Sequence, residues 1–204
     1  MSKIITDGQM RPDRTGTGVL SKFGGELSFD LSNGHFPLMT TRKMFLEGIF
    51  EELMLFIRGQ TDTKILEKKG INIWKGNTSR DFLDSRNLQH LPEGDMGHTY
   101  GFSMRHFGAE YIDCYTDYTD QGFDQLGWLI DEIKNNPFSR RLMISLFEPN
   151  NVHNAALPPC LFNYQFYVEL PDKNDLDKIP YLSCKMTQRS SDLAVAGGWN
   201  VVTG

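Results

Sequence analysis

Apolar residues crowd one segment of the chain more than any other. In "MTTRKMFLEGIFEELMLFIRGQ", Phe45, Ile49, Phe50, Leu53, Leu55, Phe56 and Ile57 fall nearly all round a 3.6-residue repeat. That pattern predicts a helix enclosed by protein, not one lying on a surface. Thr40 and Thr41 are candidate caps for it, and Gly59 a candidate stop. A second helical pattern spans "FDQLGWLIDEIKNNP". There Phe123, Leu126, Leu129, Ile130 and Ile133 form one stripe, and Pro137 follows its end. "DTKILEKKG" predicts a short helix closed by Gly70.

Elsewhere the apolar repeat shortens to two. "RRLMISLF", "LFNYQFYVEL" and "YLSCKMTQRS" predict three consecutive strands, the last two joined by "PDKNDLDKIP" as an exposed hairpin loop. "DRTGTGVLSKFGGELSFDL" predicts a Gly-rich turn followed by two short strands. "SRDFLDSRNLQHLPEGDMGH" is polar and long for a connection, which marks it as a candidate functional loop. Helices interspersed with antiparallel-looking strands predict an α+β fold: a mixed β-sheet with helices packed on it, forming one domain over residues 1–204.

Composition narrows the partners. The net charge of -5 argues against nucleic-acid binding by bulk electrostatics, so any anion site must be a local arginine cluster. Cys114, Cys160 and Cys184 are odd in number and have no metal-ligand spacing. They predict a reduced, cytoplasmic setting without a metal. The N-terminus has no apolar signal region, and no stretch is long enough to span a bilayer.

The sharpest chemical feature is "ALPPC". Pro158 and Pro159 stiffen the approach to Cys160 at the mouth of a strand. A lone cysteine is more often a buried structural residue. Nearby cationic charge would instead favour the reactive thiolate. Arg14, the pair Arg140 and Arg141, and Arg189 are the candidates for that charge, and their alternative is a solvated surface. Arginine forks also suit a phosphate. Within the apolar helix, Glu51 reads as part of a narrow polar stripe, and Glu52 as the carboxylate turned towards a site.

These pieces occur together with "DRTGTG", "FPLMTTRK", "YGFSMRHFGAEY", "DQLGWLIDEIKNNPFSRR", "QFYV" and "QRSSD". In that order, from Asp13 to Asn200, the chain closely resembles thymidylate synthase, with "HFGAEY" and "YTDQGFDQL" most similar to eukaryotic and viral-type members. The resemblance implies conversion of dUMP to dTMP, with 5,10-methylenetetrahydrofolate as one-carbon and hydride donor. Cys160 then corresponds to the nucleophile that adds to C6 of uracil. Arg14, Arg189 and Ser190 correspond to phosphate ligands, with Arg140 and Arg141 reaching over from the second subunit of a homodimer. Asn200 corresponds to the reader of the uracil edge, Glu52 to the residue organising protons near O4, and Tyr100 to the residue of the C5 proton step. Trp74 and Asn77 match a loop that closes over substrate and folate, and Asp192 matches a pterin ligand. The implied fold is that family's α+β sheet, with one sheet face used for dimerisation.

The chain also departs from the family pattern. Leu161 follows the cysteine where histidine is usual, and Leu55 and Met104 stand where tryptophan is expected. "GHTYG" replaces "GPVYG", and "DLAVAGGWN" puts Ala196 for glycine and Trp199 for phenylalanine. The family's first helix is largely absent before Asp13. A long helix and a ribose-binding His-x-Tyr segment are expected beyond "NVVTG", so the sequence reads as a piece of a longer product or a truncated gene. Two alternatives follow. Loss of water-excluding bulk at Leu55 and Met104 would suit a deoxyuridylate hydroxymethylase. Loss of the ribose clamp would suit a non-catalytic nucleotide-binding or dimer-forming remnant.

Overall fold

A computed structural model describes residues 1–13, 16–38, 43–171 and 179–194. Its elements are α1 (Ser2–Asp7), β1 (Gln9–Arg11), β2 (Val19–Ser21), α2 (Leu46–Ile57), α3 (Lys64–Glu67), α4 (Arg80–Ser85), α5 (Tyr100–Arg105), α6 (Gln125–Asn135), β3 (Met143–Ser145), β4 (Leu161–Glu169) and β5 (Tyr181–Gln188). A 3-10 turn covers Pro149–Asn154. The described strands form a two-stranded hairpin and a three-stranded antiparallel sheet in the order β3-β4-β5. The architecture is α+β as expected, but every described pairing is antiparallel and none makes the sheet mixed.

Two further expectations need correction. The Gly-rich turn lies between β1 and β2 and does not precede two strands, so Met10 faces Leu20 across it. A six-residue helix, α1, precedes β1. Helix α2 begins at Leu46 with Phe45 in the cap position, and Thr40 and Thr41 lie outside the described residues. Its end agrees with the sequence. Gly59 takes φ +73°, its N–H donates to Phe56 O, and the Gln60 N–H donates to Leu55 O. Those two bonds close a Schellman turn, which glycine permits without a Cβ clash.

The core has three parts. Met104, Leu129, Leu142, Ile144, Leu146 and Tyr164 join α5, α6 and the sheet. Leu55, Leu66, Ile71 and Met96 join α2 to the α3 region. Leu83, Leu88, Leu91 and Ala156 form the third. The polar segment from Ser79 to His98 is pinned by its few leucines, Leu83, Leu88 and Leu91, which are buried in that third cluster. On α6 only part of the expected stripe is inward, since Phe123 and Ile130 are exposed. Gln125 is buried instead. Its Nε2 donates to Ser103 O and Ser145 O, both at 2.7 Å, and its Oε1 accepts from Ser145 N–H. One side chain thus satisfies backbone groups of α5 and β3 at once.

Candidate active site

Cys160 sits at the start of β4, where the strand carries an irregularity. Leu161 faces Gln188 and Asn163 faces Thr187, so β4 has one residue more than β5. Such a bulge resets which side chains point inward. Beyond it Tyr164, Phe166 and Val168 face the first core cluster. The bulge lets the core set its phase while the thiol keeps its own direction.

Arg189 shows why two prolines precede that thiol. Its Nε donates to Pro159 O at 2.8 Å and its Nη2 to Pro158 O at 3.0 Å. Nη2 also lies 3.6 Å from Cys160 Sγ, and the Arg189 N–H donates to Cys160 O at 2.9 Å. Proline fixes φ at both positions, which holds the two carbonyls in place for the guanidinium. The guanidinium thereby holds a positive charge against the sulfur. The three cysteines are free thiols, and Cys160 is half-buried.

On the other side stands Tyr100, the first residue of α5. Its Oη accepts the Cys160 N–H at 2.9 Å. Tyr100 packs against the first and second core clusters together, and its ring lies 5.0 Å from that of Phe56. Burial pushes the Tyr100 hydroxyl up to about 12, with the charges of Cys160 and Glu52 acting in the same direction. It therefore keeps its proton at neutral pH. Glu52, half-buried on α2, accepts from Trp74 Nε1 at 2.7 Å. Glu51 turns the other way and pairs with Lys69, as its place on the polar stripe implied. Glu52, Trp74, Tyr100, Cys160 and Arg189 thus form one linked set.

The remaining site residues lie apart from this set or outside it. Asn77 is half-buried in the turn after Trp74 and donates its N–H to Trp74 O at 2.9 Å. Ser190 and Asp192 are exposed just past β5, and Asp192 Oδ1 accepts the Ala194 N–H. Arg14 and Asn200 lie outside the described residues. Arg140 and Arg141 do not open β3; they occupy the turn before it and are exposed. With Asn136, Phe138 and Ser139 they line an open cleft of ≈ 500 Å³. The Phe166 N–H pairs with Leu142 O while the Leu146 N–H pairs with Phe162 O. The arginine pair is therefore at the far end of β4 from Cys160, roughly 20 Å away at ~3.3 Å per strand residue.

Two features escaped the sequence. Tyr164 is buried beside Tyr100 and Glu52, and burial holds its hydroxyl above the usual range. Its inward strand position was the available signal. The second is how the cysteine segment is held from behind. Gly97 and Ala155 form a bridge, the His98 N–H donates to Asn154 O, and the Ala156 N–H donates to Met96 O. Gly97 has φ +73°, and a Cβ there would meet Asn154 O at 2.2 Å. Gly97→Ala should therefore destabilise the fold by about 2–4 kcal/mol through left-handed strain and lost strand contact. Chemical denaturation of parent and variant measures this, and an unchanged midpoint would contradict the close approach.

The departures at Leu55 and Met104 also have a place. Both side chains are enclosed, Leu55 in the second core cluster and Met104 in the first. Smaller bulk there is filled core and opens no water path, so the hydroxymethylase alternative gains nothing from these positions.

The sequence model of thymidylate synthase matches residues 1–204. The chain is 50% identical to the thymidylate synthase of Candida albicans over 98% of its own length and 67% of that protein's. It is likewise 50% identical to the Agaricus bisporus thymidylate synthase, over 98% of this chain and 67% of that one. Against the bifunctional dihydrofolate reductase-thymidylate synthase of Zea mays the identity is 48%, over 98% of this chain but 36% of that protein. The chain belongs to the thymidylate synthase family of enzymes. It spans 67% of the Candida albicans and Agaricus bisporus proteins and 36% of the Zea mays protein.

Proposed function

We propose that this chain is a single thymidylate synthase-like domain of a cytoplasmic methyltransferase that converts dUMP to dTMP. The supporting observation is half-buried Cys160, whose backbone N–H is held by the Tyr100 hydroxyl and whose thiol lies 3.6 Å from the Arg189 guanidinium. In this reading the Cys160 thiolate adds to C6 of uracil, which makes C5 a carbon nucleophile. C5 attacks the methylene carbon of 5,10-methylenetetrahydrofolate and then loses its proton. Elimination releases the folate amine, a hydride from the tetrahydrofolate completes the methyl group, and the thiolate departs. The products are dTMP and dihydrofolate, the folate being the species oxidised.

The described residues suit these roles. Tyr100 retains a proton beside the nucleophile, and Glu52 provides the nearby carboxylate for relaying protons at O4. Trp74, oriented by Glu52, and Asn77 close over the folate, and Asp192 meets its pterin. Arg14, Arg189 and Ser190 hold the phosphate, and Asn200 reads the uracil edge. The decisive assay gives the chain dUMP and 5,10-methylenetetrahydrofolate and weighs the nucleotide product. A C5 methyl supports the reading, whereas a hydroxymethyl product, or none from a folded chain continued past Gly204, overturns it.

The position of Arg140 and Arg141 supports a homodimer with shared sites. They are too far along β4 to serve the Cys160 of their own chain, and they are exposed beside a cleft. The outward faces of β4 and β5 also expose Tyr167 and Tyr181, apolar area that a second copy would cover. Mixing an Arg140→Ala/Arg141→Ala protein with a Cys160→Ala protein should restore activity, because one hybrid site keeps every needed group. At equal mixing and free exchange about a quarter of all sites are restored, a statistical share expected of a two-fold assembly. Folded parents that exchange subunits and stay inactive would refute the shared site.

A further inference from the structure

We propose that the buried hydroxyl pair of Thr63 and Thr78 positions the turn that presents Trp74 and Asn77, which makes Thr78 a positioning residue for the folate side of the site. The inference rests on the functional reading in taking Trp74 and Asn77 as the residues that close over the folate.

The turn from Trp74 to Asn77 has little burial of its own. In the described segment 72–80, Thr78 is the one buried residue, at 1% exposed. Trp74 O accepts the Asn77 N–H at 2.9 Å, the Thr78 N–H at 3.0 Å and the Thr78 hydroxyl at 3.0 Å. Thr78 O in turn accepts the Gly94 N–H at 2.8 Å. The Thr78 hydroxyl also lies 2.9 Å from Thr63 Oγ1. The indole end of Trp74 is held separately, by Glu52. Trp74 is thus fixed at its carbonyl by Thr78 and at its ring by Glu52.

Thr63 is the firm side of the pair. It is buried at the start of α3, whose Leu66 belongs to the second core cluster. Its N–H donates to Gly94 O at 2.8 Å, and its Oγ1 reaches the same carbonyl at 2.9 Å. Threonine at a helix start ordinarily turns its hydroxyl onto the helix N–H groups. Thr63 makes no such cap bond, and its hydroxyl meets Thr78 instead. Two hydroxyl protons cannot fill three bonds. The chain runs either from Thr63 through Thr78 to Trp74 O, or from Thr78 through Thr63 to Gly94 O. Both directions keep the bond between the hydroxyls, and neither leaves a buried hydroxyl unpaired. One buried point therefore ties together the start of α3, the turn of Trp74 and Asn77, and Gly94. Valine has the shape of threonine without the hydroxyl, so at either position it removes the bonds and keeps the volume.

The test removes the hydroxyl and keeps the shape. Thr78→Val should raise KM for 5,10-methylenetetrahydrofolate about three- to tenfold, because a looser turn lowers the fraction of chains ready to close on the folate. KM for dUMP and kcat should stay within about twofold, since neither depends on that fraction. Thr78→Ser restores the hydroxyl and should bring the folate KM back to within about twofold of the parent. The chain without nucleotide or folate gives a second readout. The part of the tryptophan fluorescence that Trp74→Phe removes reports on Trp74. Acrylamide should quench it about twice as readily in Thr78→Val, through local opening, and as in the parent in Thr78→Ser. Thr63→Val should move both readouts in the same direction, because it removes the firm partner. Equal rises in both KM values, or a serine variant as impaired as the valine one, would overturn the proposal, for then shape and not the bond is at stake. If Thr78→Val does not fold, Thr63→Val decides: unchanged quenching of Trp74 refutes the pair. A chain that never methylates dUMP but shows the hydroxyl-dependent change in Trp74 quenching would sink the functional reading and leave the positioning intact.

Discussion

Replacing Cys160 with alanine should lower dUMP turnover by at least about 10⁴-fold, the order lost when a covalent nucleophile is removed. Nucleotide affinity should change by less than about tenfold, because the proposed phosphate ligands are elsewhere. The expectation rests on what surrounds the sulfur. A structural cysteine needs apolar neighbours and nothing more. Cys160 instead has a guanidinium 3.6 Å away, a backbone N–H tied to a half-buried tyrosine, and only partial burial. Those contacts leave the sulfur reachable and hold it beside a positive charge. Serine at the same place should be nearly as poor as alanine, since its hydroxyl gains little anionic character from one nearby arginine. Assays of Cys160→Ala and Cys160→Ser beside the parent, with nucleotide binding measured separately, settle the matter. Retained turnover in either would return Cys160 to the ranks of core cysteines.

The sequence carried the order of elements better than their limits. Helix α6 and the three strands of the larger sheet were legible because their repeats are long and unambiguous. The end of α2 was legible because glycine is the residue that tolerates a Schellman turn. Its start was not, since the N-cap position is filled by Phe45, which offers no side-chain oxygen. The packing of the segment from Ser79 to His98 was not legible, for a different reason. Its polarity is an average, whereas its packing depends on Leu83, Leu88 and Leu91, spaced too irregularly to form a face. Gln125 shows the same limit from the polar side, for no local pattern tells a buried bridging amide from an exposed one.

At the site, residue types were legible and their partners were not. "ALPPC" announced a rigid thiol, but only tertiary structure reveals that Arg189, 29 residues away, holds both proline carbonyls. Glu52 could be chosen over Glu51 because a nearly all-apolar helix leaves few polar positions. That Trp74 is its partner depends on where α2 packs. The tandem arginines looked like part of the same cluster from their chemistry. The register of β3 on β4 separates them from Cys160, and distance along a strand is a fact that composition cannot carry. His98 was visible only as a departure from a family motif.

Arg189→Ala should reduce kcat/KM by about 10³-fold or more, and the split between kcat and KM should reveal two separate duties. Arginine has five N–H donors. Nε and Nη2 are directed at Pro159 O, Pro158 O and the sulfur, which leaves Nη1 for the proposed phosphate. Alanine removes every one of these contacts. It frees the proline carbonyls, withdraws the positive charge beside the thiol and deletes a phosphate ligand. Losing the phosphate contact alone would raise KM with kcat little changed, as expected for uniform binding. Losing the hold on the cysteine would lower kcat and slow Cys160 alkylation even with no nucleotide present. Both should occur in Arg189→Ala. Arg189→Lys separates them further, because lysine brings the charge but not the planar fork that spans two carbonyls and a sulfur. It should recover much of the KM defect while kcat stays more than about tenfold down, since one ammonium cannot replace the bidentate geometry. A lysine variant restored in kcat as well as in KM would mean that charge alone matters at this position. Arg189 would then be a phosphate ligand whose bonds to Pro158 and Pro159 are incidental.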